Sequence, residues 1–253
     1  MAQNNFEPCH AVTAKWEGGW SDHAADPGGK TNFGVTQATL GTYLGRAATA
    51  DEIRALTKDQ AKAIFKKLFW HGVGAEGMPR GVDLACYDWG VNSGVARGRR
   101  AYSEAAHISN PAERVKAIMA ARRAFFAAII AKNGKLAAFR KGWANRAADI
   151  EAVAYKWALQ AQGLAPAEVQ GRMAEEAGRA RKAAEAKKKQ ANAAGGGAAA
   201  AGAGSAAVAW DWQTIIFCGV AVGVIGFVAF MAFRAAQAER ARTEAFLKGA
   251  GNG

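Results

Sequence analysis

The chain has 253 residues, enough for one or two compact domains with accessory segments. Its net charge of +12 points to an anionic partner: nucleic acid, acidic lipid or cell wall. Three cysteines, Cys9, Cys86 and Cys218, are too few and too widely spaced for a disulfide framework or a zinc site, and fit synthesis in a reduced compartment.

The N-terminal run MAQNNFEPCHAVTAKWEGG has neither a basic start nor an apolar stretch, so no cleavable signal peptide is expected. Residues 10–16 read as a short helix leading into Glu17. Residues 18–36, rich in Gly, Asp, Pro, Asn and Thr, read as a turn-rich lobe with a small hairpin. Thr49 or Asp51 can cap a helix that turns Ile53 and Leu56 inward. Thr57 opens the next, with Ala61, Ile64, Phe65, Leu68 and Phe69 at helical spacing, and Gly72, Gly74, Gly77 and Pro79 break it. Residues 82–91, VDLACYDWGV, have the nearly continuous apolar character of a central core helix. Asn110-Pro111 starts a helix that Asn133-Gly134 ends, and another covers about 143–160.

Beyond Pro166 the composition changes. Residues 166–192 have almost no large apolar side chains, and Glu168/Arg172, Glu175/Arg179 and Glu185/Lys189 stand in the favourable i, i+4 order. The expectation is a solvated single helix about 40 Å long. Residues 193–209 are low-complexity Gly/Ala and read as a flexible linker. Residues 213–233 are 21 residues without a charge, matching the ~20 that cross a bilayer core. Trp210, Trp212 and Arg234 flank the run as interfacial anchors, so a single transmembrane helix over 210–234 and a short basic tail over 235–253 are expected. Gly219 and Gly223 form a GxxxG that would let two such helices dimerise, although glycine is common in membrane helices anyway. The basic residues after the run put the tail in the cytoplasm by the positive-inside rule, whereas simple tail anchoring gives the opposite orientation.

The chemistry concentrates near the N-terminus. Glu17 ends the first helix, Asp26 follows in a turn and Thr31 comes just after. Glycoside hydrolysis needs one acid to protonate the leaving oxygen and a second group to handle water or stabilise positive charge. An acid between Trp16 and a glycine turn loses solvation, which raises its pKa, while Asp26 among turn residues stays ionised. Asp22 competes for the second role, and a Glu with an Asp is common in solvated loops. Asp88 and Asn92, one helical turn apart, can line a sugar cleft or hydrogen-bond within a core helix. Trp20, Phe33 and Trp89 can stack on sugar rings or simply pack. His10, His23, His71 and His107 form no spaced cluster, so neither metal nor cofactor is expected.

The run EGGWSDHAADPGGKTNFGVT resembles the signature of glycoside hydrolase family 108, which includes phage endolysins and secretion-associated muramidases. Glu17, Gly18, Gly19, Asp26, Gly28, Gly29, Thr31, Gly34 and Thr36 match it, and the likeness continues through Trp70, Pro79, Gly81, Val82, Asp88, Asn92, Ser93 and Gly94. The resemblance covers about residues 10–100. It implies a mainly α, lysozyme-like fold that cleaves the β-1,4 bond from N-acetylmuramic acid to N-acetylglucosamine, with Glu17 as general acid and Asp26 and Thr31 assisting; Asp88, Asn92 and Trp20 are the candidates for substrate contact. The stretch FRKGWANR over 139–146 is similar to a shorter family run, which implies peptidoglycan binding by Trp143 and Arg146; the ten basic against four acidic residues of 101–165 agree.

The expected organisation is a catalytic domain over 8–100, a helical wall-binding module over 101–165, then the charged helix, linker, span and tail. It describes a muramidase in a bacterial inner membrane, working with a holin-like partner in lysis or wall remodelling and not on nucleic acid. Two other readings are an inactive wall-binding scaffold and a holin-like membrane factor.

Overall fold

The computed structural model describes the backbone of residues 5–18, 20, 30–203 and 212–251, and their side chains except 194–228 and 230. Residues 1–166 and 167–253 form two compact units.

The first unit is mainly helical. Helix α1 (Phe6–Thr13) runs into a 3-10 turn, Ala14–Trp16, that delivers Glu17 in extended conformation. Strands β1 (Thr31–Asn32) and β2 (Val35–Thr36) form a two-stranded antiparallel hairpin, with Thr31 opposite Thr36. Thr36 then caps α2 (Gln37–Leu44).

The caps legible in the sequence are in place. Thr49 and Glu52 make a reciprocal capping box at the start of α3 (Ala50–Arg54), and Thr57 and Gln60 do the same for α4 (Lys58–Ile64). Each satisfies two otherwise orphaned backbone donors. The helical spacing after Ile64 is broken by a π-helical turn, Phe65–Trp70, before the short turn α5 (His71–Val73). Its extra residue rotates the apolar face, so Phe65 and Trp70 are buried while Leu68 and Phe69 are only half-buried.

Helix α6 (Val82–Ser93) is the centre of the unit, with every residue from Val82 to Gly90 buried. Phe6, Trp70 and Tyr87 pack edge to face, with centroids 5.5–6.1 Å apart, tying α1 and the π turn to α6. Helix α7 (Val95–Glu104) folds back on α6. Asn110 caps α8 (Pro111–Lys132), whose core face is Val115, Ile118, Met119, Arg122 and Phe126. Helix α9 (Arg140–Ala161) completes the unit. Gly81, at φ +88°, lets α6 begin directly against α9, since a Cβ there would lie 2.2 Å from the Ala154 carbonyl oxygen. Residues 101–165 therefore do not stand apart: α8 and α9 both pack on α6 inside the compact unit that holds Glu17.

The second unit differs from the sequence expectation. Helix α10 (Pro166–Ala203) continues eleven residues into the expected linker, whose remaining residues 204–209 lie outside the described residues. It is not a solvated single helix. Val169, Met173, Ala177, Ala180, Ala184 and Ala191 are buried at spacings of three, four and seven, and Lys187 Nζ lies 2.8 Å from Glu239 Oε1 of α11 (Trp212–Gly251). Alanine supplies most of that face, so it carries no conspicuous apolar stripe. Ion pairs along the helix include Arg179–Glu176 at 2.6 Å and Arg181–Glu185 at 3.2 Å. The apolar run 213–233 lies in α11, and its side chains over 213–228, including Gly219, Gly223 and Cys218, lie outside the described residues. Among the described residues no helix is long and apolar enough to cross a membrane.

Candidate active site

Glu17 follows the 3-10 turn, its backbone N–H donating to the Ala14 carbonyl at 3.2 Å. The preceding Trp16 is fixed by an indole N–H donated to Asp149 Oδ2 of α9 at 3.0 Å. The Glu17 side chain is 19% exposed, and Arg146 Nη2 of α9 lies 2.8 Å from its Oε1. That approach is an ion contact without the alignment of a hydrogen bond, so Oε1 has no aligned donor.

Opposite Arg146, the hairpin turn covers the carboxyl. Gly34, at φ +77°, comes so close that a Cβ would lie 2.7 Å from Glu17 Cβ, 3.0 Å from Cγ and 3.1 Å from Oε2. Only a residue without a side chain fits. Its neighbour Phe33 has a positive φ of 50° and remains 40% exposed. Positive φ at an aromatic residue is uncommon and marks backbone strain beside the acid.

Behind Glu17 the charges form a chain. Arg146 Nε donates to Asp88 Oδ1 at 3.0 Å and Oδ2 at 3.2 Å, and its Nη2 donates to Oδ2 at 2.9 Å. Arg122 Nη1 contacts the other face of the same carboxylate at 2.7 Å from Oδ1. Arg122 Nη2 in turn donates to Asn92 Oδ1 at 3.2 Å. Asp88 and Arg122 are fully buried.

The two carboxyls are thereby driven in opposite directions. Burial raises the pKa of Glu17, and Asp88 adds to the rise against the opposing pull of Arg146 and Arg122. Burial acts on Asp88 too, but Arg122 and Arg146 outweigh it and hold Asp88 below the usual carboxylate range. One acid is prepared to carry a proton while its neighbour stays charged, a division of labour seen in carboxylate catalysis.

Several sequence expectations are revised. Asp88, expected on a sugar cleft, has no exposed oxygen and serves as the counter-ion of two arginines. Asn92 accepts from Arg122 and so extends the same network. Arg146, expected on a wall-binding surface, is 7% exposed and committed to Asp88 and Glu17. Trp143, one turn earlier on α9, is half-buried and stacks between Phe126, at 4.8 Å and 21°, and the exposed Phe139, at 5.7 Å and 22°. Trp89 is buried against Phe125. Trp20 is 44% exposed beneath the Arg54 guanidinium, 5.4 Å from its ring. Thr31 is half-buried in the hairpin that carries Gly34. Asp22, Asp26 and His23 lie outside the described residues. Among the described residues no group of three His, Cys, Asp or Glu could hold a metal ion.

Arg122 was missed in the sequence although a signal was present. It stands in register with Val115, Met119 and Phe126 on the apolar face of α8, where a charge must find a buried partner.

Residues 10–94 match the family model described as Glycosyl hydrolase 108. A solved structure described as that of Brucella abortus SagA is 28% identical, with a TM-score of 0.56 over 62% of this chain and 97% of that one. Comparison with curated proteins gave no match. A half-buried acid on a hairpin-covered turn and these two likenesses together make the chain a glycoside hydrolase of the lysozyme type, the class that hydrolyses peptidoglycan.

Proposed function

We propose that the protein is an N-acetylmuramidase in which Glu17 is the general acid for cleavage of the β-1,4 bond between N-acetylmuramic acid and N-acetylglucosamine. The observation that carries this reading is the environment of Glu17: a carboxyl whose pKa is raised by burial, held between Gly34 and Arg146 and still reachable from solvent. A protonated Glu17 gives its proton to the glycosidic oxygen as the C–O bond breaks. The bonding electrons leave with that oxygen, positive charge develops on the muramic acid ring, and water completes the hydrolysis. Asp26 and Thr31 are assigned to the second function, handling that water or steadying the ring charge. Trp20, 44% exposed and three residues after Glu17, is assigned to a sugar contact, and Trp143 with Phe139 to a further wall contact.

Residues 213–233 are assigned to the inner membrane on their sequence alone: 21 residues without a charge, bordered by Trp212 and Arg234. Catalysis would then occur on the side facing the wall. Proteinase treatment of spheroplasts tests this placement, and complete protection of residues 1–166 would refute it.

The test of the activity is digestion of purified peptidoglycan by the full chain and by Glu17→Gln, with products read by mass spectrometry. Fragments with reducing N-acetylmuramic acid ends from the wild type alone are expected. Reducing N-acetylglucosamine ends would overturn the bond assignment, and equal digestion by the variant would overturn the role of Glu17.

A further inference from the structure

The two oxygens of Glu17 have different surroundings. Oε1 is buried and lies 2.8 Å from Arg146 Nη2, whereas Oε2 lies beside Gly34, where a Cβ would come within 3.1 Å, on a side chain that is 19% exposed. A guanidinium has N–H donors and no acceptor, and it does not deprotonate in proteins. A proton on Oε1 would face a cation 2.8 Å away that cannot accept it. It therefore belongs on Oε2, whose edge is kept clear by the missing side chain at residue 34.

Arg146 itself has little freedom to turn. Three hydrogen bonds to Asp88, at 2.9–3.2 Å, hold the Nε and Nη2 edge of its guanidinium. Arg122 fixes Asp88 from the other side at 2.7 Å, and both are buried. Asp88 also offsets much of the positive charge of Arg146, so the cation does not strip the proton from Glu17 before substrate binds. Burial, the larger influence, raises the Glu17 pKa against the pull of Arg146.

Resting on the reading of Glu17 as the general acid, we infer that Arg146 is a positioning residue that selects Oε2 as the proton-donating oxygen of Glu17 and stabilises the carboxylate formed when that proton leaves. Asp88 and Arg122 hold Arg146 in the required orientation. In the step itself the proton passes from Oε2 to the glycosidic oxygen, the C–O bond breaks towards that oxygen, and the negative charge left on Glu17 spreads to Oε1 beside the guanidinium. The contact with Arg146 is thus stronger in the transition state than in the ground state, so it acts on kcat more than on KM.

The test uses the full chain, wild type beside Arg146→Met and Arg146→Lys. Two substrates are compared: peptidoglycan glycan strands, and a 2,4-dinitrophenyl glycoside of the same sugars whose leaving group departs without protonation. Arg146→Met is expected to lose about 10²-fold in kcat on glycan strands with KM within about twofold, as for removal of an electrostatic stabiliser. It should lose no more than about fivefold on the activated glycoside, and Arg146→Lys should recover part of the loss. Equal loss on both substrates, or no loss on glycan strands, would overturn the inference. An infrared difference spectrum between each form and its Glu17→Gln variant supplies a readout independent of turnover. The C=O band of protonated Glu17 is expected to shift to higher frequency in Arg146→Met as the cation beside Oε1 is lost, and an unmoved band would overturn the inference. A wild type that cleaves neither substrate would refute the glycosidase reading instead, and the band would still decide the role of Arg146.

Discussion

Replacing Gly34 with alanine should damage catalysis and stability together, and Gly45 supplies the control. Both glycines have left-handed backbone, with φ of +77° and +73°. A side chain in that region costs about 1–2 kcal/mol. At Gly45 the added methyl meets nothing within 4 Å, so the backbone term is the whole effect. At Gly34 it would lie 2.7 Å from Glu17 Cβ, whereas carbon atoms pack comfortably at about 3.5–4.0 Å. Glu17 must therefore retreat by about 1 Å, and overpacking of this kind adds about 1–3 kcal/mol. The sum, about 2–5 kcal/mol, corresponds to a Tm lower by roughly 5–15 °C in a domain of this size. A misplacement of about 1 Å at the reacting group costs on the order of 10²-fold in rate. Thermal unfolding followed by circular dichroism, with kcat and KM from release of reducing ends, reads both effects. Gly45→Ala should lower Tm by only about 2–8 °C and leave kcat unchanged. Wild-type kcat in Gly34→Ala, or an equal loss of kcat in Gly45→Ala, would refute the reasoning.

Glu17→Gln should reduce hydrolysis by at least about 10²-fold, in line with loss of a general acid. Because the folded protein raises the Glu17 pKa, the stability that Glu17 contributes as a neutral group is present at low pH and lost as pH rises through its folded value. Glu17→Gln should consequently unfold at a higher temperature than wild type at pH 7 and show a smaller difference at pH 4; a lower Tm at pH 7 would contradict this. The kcat/KM profile of the wild type should fall with rising pH above the range in which an ordinary glutamate titrates, and a fall centred within that range would count against Glu17 as the acid. Asp88→Ala should destabilise the protein by about 3–5 kcal/mol, since it leaves two buried arginines without their anion; denaturant unfolding measures it. A chain ending at residue 100 should show no cooperative unfolding by calorimetry, because it lacks α8 and α9, which pack on α6 and supply Arg122 and Arg146.

Local signals in the sequence were legible. The capping residues Thr49, Thr57 and Asn110 act within three or four residues of their own positions, so each helix start could be read directly. Glu17 stood out because the run from Glu17 to Thr36 resembles a family signature, whereas an acid beside an aromatic and a glycine turn is weak evidence by itself. The partners of Glu17 were not legible, because the pairing of Arg146 with Asp88 spans 58 residues and that of Arg122 with Asn92 spans 30. Nothing local distinguishes an arginine that reaches the wall from one that reaches the acid. The π turn defeated a reading based on constant helical period, since one extra residue moved Trp70 into the core in place of Phe69. The packed face of α10 escaped for a different reason: alanine buries little area per residue, and its contribution emerges only when a partner helix comes close.

The chain of alternating charges from Arg122 through Asp88 and Arg146 to Glu17 has a consequence for how such a site can diverge. Asp88 neutralises two arginines, so neither it nor Arg122 can be exchanged without stranding a charge in a water-poor interior. The buried positions 88, 122 and 146 behave as one heritable unit, closer to a single large residue assembled from three helices than to three independent choices. Relatives that depart from it should do so in pairs, with loss of the α8 arginine accompanied by a neutral residue at the Asp88 position. A double-mutant cycle between Asp88 and Arg122 with a coupling near zero would show instead that the positions are free to drift separately.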